Sequence, residues 1–161
     1  MVRCTFSPAR AWWPAVVARL ARTLGLTQKP LRTMSPIQGS CLCGAVKFTL
    51  AQSPTEATAC HCTQCRKQSG HYFASANVRK AAVEFTGAEN ITWYQSSEKV
   101  RRGFCSKCGS WLFWEPVFRD WTSVALGSLE GKTGVKLERH IFVAHKGDYY
   151  TIADGLPQTE N

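Results

Sequence analysis

Short runs in which apolar and polar positions alternate, separated by turn residues, occupy most of the chain after position 45. Val46–Leu50, Tyr72–Val78, Val83–Phe85, Ile91–Gln95 and Arg101–Phe104 are rich in β-branched and aromatic residues and predict strands. Trp111–Glu115, Trp121–Leu126, Ile141–Ala144 and Tyr149–Ile152 continue the pattern, with Pro116, Gly127, Gly131, Gly134 and Gly147 as punctuation. Only Cys62–Ser69 reads as a short helix. The expected fold is mostly β, built of short antiparallel strands with one short helix. In Trp111-Leu112-Phe113-Trp114, strand alternation sends neighbours to opposite faces, so large side chains are expected on both. Trp93, Phe104, Trp111, Phe113 and Trp114 either fill the inner faces of sheets or line a pocket.

The first 33 residues follow a different pattern. Trp13, Val17, Leu20 and Leu24 recur at helical spacing, with Arg10, Arg19 and Arg22 off that arc, which describes a basic amphipathic helix. Arg19 and Arg22 interrupt the apolar stretch and no small-residue cleavage site follows, which argues against a secretory signal. Residues 1–33 therefore read as a basic extension, with three origins open: a disordered tail, an organelle transit peptide, or a start placed upstream of Met34. Residues 34–161 are left as the domain. Cys4 falls in the extension as an unpaired thiol without a role.

Composition narrows the class. With 161 residues, 44% hydrophobic and 19% charged, the chain suits one compact domain, and no apolar run approaches the roughly 20 residues of a spanning helix. A membrane protein is excluded on this reading. The net charge of +9 suggests nucleic-acid binding until it is divided along the chain. Six of the 20 basic residues and none of the 11 acidic ones fall in residues 1–33, leaving the domain with 14 against 11, a net of +3. That is a poor phosphate-binding footprint, and nucleic acid is not expected as a partner.

Seven cysteines of the domain fall in three groups: Cys41 and Cys43; Cys60, Cys62 and Cys65; Cys105 and Cys108. Close CxC and CxxC spacing without a secretory signal favours thiolate metal ligation in a reducing compartment over a disulfide framework. Zinc is the first choice, with copper(I) and iron–sulfur clusters open alternatives. Cys60, Cys62 and Cys65 lie close enough to form a tripod on one metal. The two remaining pairs together make the four thiolates of a structural site, whose binding would contribute about 10 kcal/mol or more to folding. Gly109 after Cys108 suits the tight turn of a zinc knuckle. The tripod leaves a position for water, a thiol or a carbonyl oxygen, unless His61 or His71 closes it; His71 has the better expected reach, because His61 lies between two ligands and should point away. His140 and His145 are expected to be surface or packing residues. Arg66, Lys67 and Lys107 stand beside the cysteines, and either offset thiolate charge or, for Arg66 and Lys67 with Arg101 and Arg102, attract the carboxylates of an acidic thiol.

The runs Gly39-Ser40-Cys41-Leu42-Cys43-Gly44-Ala45-Val46, Cys60-His61-Cys62-Thr63-Gln64-Cys65-Arg66-Lys67 and Phe104-Cys105-Ser106-Lys107-Cys108-Gly109 resemble the glutathione-dependent formaldehyde-activating enzyme family, whose domain is shared with centromere protein V. His140-Ile141-Phe142-Val143 and Asp154-Gly155-Leu156-Pro157 are similar to its closing segments, so the resemblance spans about Ile37 to Gln158. It implies a tent-like zinc-binding β fold and two zinc ions per chain, a structural one on Cys41, Cys43, Cys105 and Cys108 and a second on Cys60, Cys62 and Cys65. It also implies a carbon–sulfur lyase activity: glutathione and formaldehyde joined as S-hydroxymethylglutathione, and the reverse. A non-catalytic glutathione carrier and a zinc-binding interaction module are the alternatives. The partner expected is a small-molecule thiol, glutathione first, and the location expected is the cytoplasm, or an organelle if residues 1–33 are a transit peptide.

Overall fold

The structure, a computed structural model, describes residues 36–161. The expectations for residues 1–33, Cys4 included, lie outside the described residues.

Two sheets make up the fold. The smaller has three antiparallel strands in the order β1 (Ile37–Ser40), β2 (Lys47–Leu50) and β5 (Val83–Thr86). The larger has eight, in the order β11 (Gln158–Thr159), β10 (Lys136–Ile141), β3 (Glu56–Cys60), β4 (Phe73–Arg79), β9 (Trp121–Ala125), β8 (Trp111–Pro116), β7 (Val100–Cys105) and β6 (Ile91–Ser97). Pairing is antiparallel from β3 through β6, while β10 runs parallel to both β3 and β11. The one α-helix among the described residues, α1 (Thr63–Ser69), follows β3 directly. It starts one residue after the expected Cys62 because the Cys62 sulfur caps it, accepting the Cys65 amide at 3.4 Å.

The core lies between the sheets. Phe48 of β2 meets Phe113 of β8 edge-on at 5.2 Å, surrounded by Val46, Leu50, Leu112 and Val124, all fully buried. Burial of a side chain of this size contributes about 1.5–3 kcal/mol. The alternation expected for residues 111–114 is broken by a bulge. Phe104 opposes Trp111 and Gly103 opposes Phe113, so Leu112 is an extra residue without a cross-strand partner. Leu112 and Phe113 both join the main core, whereas Trp111 and Trp114 both pack with Cys65, Phe73 and Ala125 in a second apolar cluster.

Three further segments depart from the sequence pattern. Glu56–Cys60 is a strand despite two alanines, because pairing with β4 and β10 compensates for weak propensity. Ile141–Ala144 is not one strand: β10 ends at Ile141, Phe142 takes a left-handed conformation (φ 58°), and a 3-10 turn follows. Tyr149–Ile152 is not a strand: Tyr149 lies in a turn, and the segment bonds elsewhere, Tyr149 Oη donating to the Gly70 carbonyl at 3.0 Å and Lys146 Nζ to the Tyr150 carbonyl at 2.9 Å.

Gly39 and Phe48 are cross-strand partners, and the Phe48 ring lies over the glycine so closely that a Cβ there would stand 2.2 Å from Cζ. Gly39→Ala is expected to cost about 1–3 kcal/mol through displacement of this core ring. Urea denaturation checks it; an unchanged midpoint would show that Phe48 moves aside without loss.

Candidate functional site

The cysteine sulfurs gather in two groups. Those of Cys41, Cys43, Cys105 and Cys108 all lie within 4.8 Å of one another, as do those of Cys60, Cys62 and Cys65, and each group could hold a metal ion. The first joins the turn after β1 to the turn after β7. Both turns are built alike: Gly44 and Gly109 occupy the left-handed region (φ 73° and 75°), and their amides donate to the Cys41 and Cys105 carbonyls at 3.0 and 2.8 Å. Hydrogen bonds from Ser110 push the Cys108 thiol down to about 5, favouring the thiolate.

The second group stands at the junction of β3 and α1. Cys60 ends β3, opposite Phe73 on β4 and Ile141 on β10, while Cys62 caps α1 and Cys65 lies in its first turn. Hydrogen bonding from Cys60 and then Cys65 drives the Cys62 thiol far below its usual range, and the same contact with Cys62 drives Cys60 far above it. One sulfur thus carries charge readily and its neighbours keep their protons, so a metal bound by all three must displace protons. Arg102 is buried against this group: its guanidinium contacts the Cys65 sulfur at 3.7 Å, Gln64 at 2.6 Å and Gln68 at 3.5 Å. Arg102 thus places a buried positive charge against the three-sulfur group. Arg101, on the opposite face of β7, is committed to Glu115 at 2.6 Å and lies over Trp93 at 4.1 Å, so it has no part in the site.

Neither candidate histidine completes the tripod. Among the described residues no ring nitrogen or carboxylate lies within 4.8 Å of all three sulfurs. His71 is exposed and packs on Tyr150 with ring centroids 4.1 Å apart. His61 is completely buried and points away into a hydrogen-bonded chain that the sequence did not reveal. His140, expected to be a surface or packing residue, is a buried member of that chain, because its place on β10 aims the ring at His61. His145 is exposed, as expected. The Asp154 carboxylate accepts from His140 Nε2 at 2.8 Å, which leaves His140 Nδ1 to accept from His61 Nε2 at 2.8 Å and His61 Nδ1 to accept from the Tyr150 hydroxyl. The His140 contact holds the Asp154 carboxyl below its usual range. The His61 amide also donates to the Ile141 carbonyl at 2.9 Å, so the residue between two tripod cysteines is held by both backbone and ring.

A cavity of about 930 Å³ opens on the tripod. Cys60, Cys62 and Cys65 line it and the four cysteines of the other group do not. Alternate residues of β3 (Thr58, Cys60) and β4 (Phe73, Ser75, Asn77) form its floor, the face of the large sheet turned away from the main core. Trp114 and Trp121 form one wall, while Arg139 stands on β10 and Glu56 on β3. Arg139 forms no ion pair among the described residues and was not singled out by its sequence context.

Sheet, helix and sulfur clusters define a β domain with paired thiolate centres, one of them facing a cavity. The chain belongs to the glutathione-dependent formaldehyde-activating enzyme family, whose model matches residues 36–145. It is 29% identical over 127 residues to a Halomonas elongata protein that bears the family's name, covering 72% of this chain and 80% of the relative. It is 32% identical over 128 residues to an uncharacterized lyase of Schizosaccharomyces pombe, covering 75% and 88%. A crystal structure of a Rhodobacter sphaeroides protein is similar with a TM-score of 0.50 and 29% identity, over 58% of this chain and 88% of that one. No helix among the described residues is long and apolar enough to cross a membrane.

Burial, and then the neighbouring His140, push His61 down to about 4. The unfolded chain takes this proton near pH 6.5 and the folded one refuses it until about pH 4, so this group lowers stability as pH falls through that window. An imidazole NMR titration should show His61 neutral throughout pH 7 to 5; a midpoint near 6.5 would contradict the buried chain.

Proposed function

We propose that this protein is a zinc-dependent carbon–sulfur lyase-type enzyme, joining glutathione or a similar thiol to formaldehyde or another aldehyde, with S-hydroxymethylglutathione as the formaldehyde adduct, and splitting such adducts in reverse. The observation that carries the reading is that the three-sulfur group faces the large cavity while the four-sulfur group does not. Cys41, Cys43, Cys105 and Cys108 would hold a structural zinc, and Cys60, Cys62 and Cys65 a second. The donor sets fit: all are soft thiolates, four in one group and three in the other. When bound by three thiolates, zinc supplies a fourth position and lowers the pKa of a thiol placed there.

The remaining work falls to the chain. Arg102 offsets the charge of the tripod and ties it to α1 through Gln64 and Gln68. Arg139 stands in the cavity wall without an ion pair among the described residues, placed to meet a carboxylate of the thiol. The cavity walls hold the sulfur and the carbonyl carbon together, which is where most of the acceleration arises, because a three-thiolate zinc is a weak Lewis acid. The thiol gives its proton to water, the carbon–sulfur bond forms as the carbonyl π pair moves to oxygen, and that oxygen takes one proton back from water. Thiol carriage without catalysis is the second reading. It is favoured by a lining that holds no histidine among the described residues and one carboxylate, Glu56.

Exchange NMR of glutathione with formaldehyde, on protein of known zinc content, tests the first reading. Cys62→Ser is expected to reduce the acceleration at least about tenfold. Broadened glutathione lines without faster adduct formation would establish the carrier instead. Arg139→Ala should raise KM for glutathione about tenfold with little change in kcat, as steady-state kinetics would show. Chelation, or Cys105→Ser, is expected to unfold the domain, whereas Cys62→Ser keeps its circular dichroism spectrum; the reverse pattern would exchange the roles of the two centres.

A further inference from the structure

We infer that the second substrate of this site is an aldehyde carrying an aromatic or extended hydrocarbon group, and that Trp114 and Trp121 select it. The inference rests on the thiol–aldehyde reading above and names its substrate class. Formaldehyde adds only a carbon and an oxygen to the thiol, yet the cavity measures about 930 Å³. That is near the top of the range of about 300–1,000 Å³ for ligand cavities, so a further group on the sulfur has room beside the peptide of the thiol.

The shape of the lining is more specific than its volume. A strip of aromatic side chains runs outward from the tripod, with Phe73, Trp114 and Trp121 lining the cavity and Trp111 packed behind Phe73. Phe73 sits opposite Cys60 and stacks on Trp111 with centroids 3.6 Å apart and planes 13° from parallel. Trp114 packs against the cluster of Cys65, Phe73 and Ala125, and Trp121 stacks on Trp114 at 5.7 Å and 27°. Both of these indoles are half-buried and line the cavity, so each leaves a surface for an occupant. The strip exists because the bulge at Leu112 turns Trp111 and Trp114 to one face; regular alternation would have placed them on opposite faces. At the tripod end the rim carries Phe142, the one non-glycine residue among those described with positive φ, an aromatic held in a conformation that costs energy.

The polar groups beside the strip, Arg102 and Ser123 as cross-strand neighbours of Trp114, already have partners. Ser123 Oγ donates to Asn77 Oδ1 at 2.7 Å, and Arg102 is spent on the tripod and its glutamines. Arg139 and Thr58 stand on the neighbouring strands β10 and β3. A thiol peptide on the Arg139 side directs any group on its sulfur along the tryptophan side. A hydroxymethyl group would leave those indole faces against water; a hydrocarbon or aryl group would cover them. The chemistry stays balanced for any such aldehyde. The thiol releases its proton to water, the thiolate lone pair forms the carbon–sulfur bond as the carbonyl π pair moves to oxygen, and that oxygen takes one proton back from water to give a hemithioacetal, with no redox change.

The full-length, zinc-loaded protein is assayed with glutathione and either formaldehyde or phenylacetaldehyde, each rate expressed as acceleration over the spontaneous reaction. Phenylacetaldehyde is expected to be favoured about tenfold or more, and Trp121→Ala to bring that ratio close to one. S-benzylglutathione, competing against substrate in the unaltered protein, should inhibit at about tenfold lower concentration than S-methylglutathione, a comparison that needs no folded variant. Preference for formaldehyde, or equal inhibition by the two thioethers, would overturn the inference while leaving the proposed reaction standing. Absence of acceleration with either aldehyde, while glutathione still binds, would overturn both.

Discussion

Convergence of four cysteine sulfurs from two turns far apart in the chain is the contact on which the rest of this fold is hung. Cys43 and Cys105 are separated by 62 positions, yet their sulfurs stand 3.8 Å apart. That contact clamps the small sheet to the end of β7 in the large one and closes the interface in which Phe48 and Phe113 meet. Closing so long a loop costs entropy that a modest core repays only in part. A bound metal would supply the difference, and each thiolate lost would remove part of it.

With the small sheet clamped on one face, the other face of the large sheet is left for chemistry. Strand alternation divides the labour: Ala57, Ala59, Ala76 and Val124 turn to the buried side, while Thr58, Cys60, Ser75, Asn77 and Ser123 turn to the cavity. The bulge in β8 is the exception that gives the cavity its character. One extra residue brings two tryptophans to the same side as the tripod, and without it the wall beside the sulfurs would be far less aromatic.

Behind the tripod, burial and hydrogen bonding act together on His61. Removal from water disfavours its charged form, and the ionised Asp154 dictates, through His140, which ring nitrogen carries the proton. A neutral imidazole bonded at both nitrogens restrains the backbone between Cys60 and Cys62 without adding charge behind the sulfurs. The tripod thus has Arg102 on one side as its cation and a neutral imidazole bonded at both nitrogens on the other.

What the sequence determined by itself is what depends on neighbours along the chain. The spacing of the cysteines and the knuckle glycine at 109 are local, so the division of seven cysteines into a four and a three, the short helix to within one residue at Cys62, and most strands were legible in the sequence. The tertiary structure alone decided what depends on register between distant strands. Lys136–Ile141 pairing beside β3 carries His140 into the core and Arg139 into the cavity, two adjacent residues whose fates no local pattern separates. Arg101 and Arg102 part in the same way, one to Glu115 and one to the tripod, because neighbours on a strand face opposite sides. Register, twist and bulges are set by packing over the whole sheet, and a single sequence read along its length does not contain the partner strands against which each side chain's direction is decided.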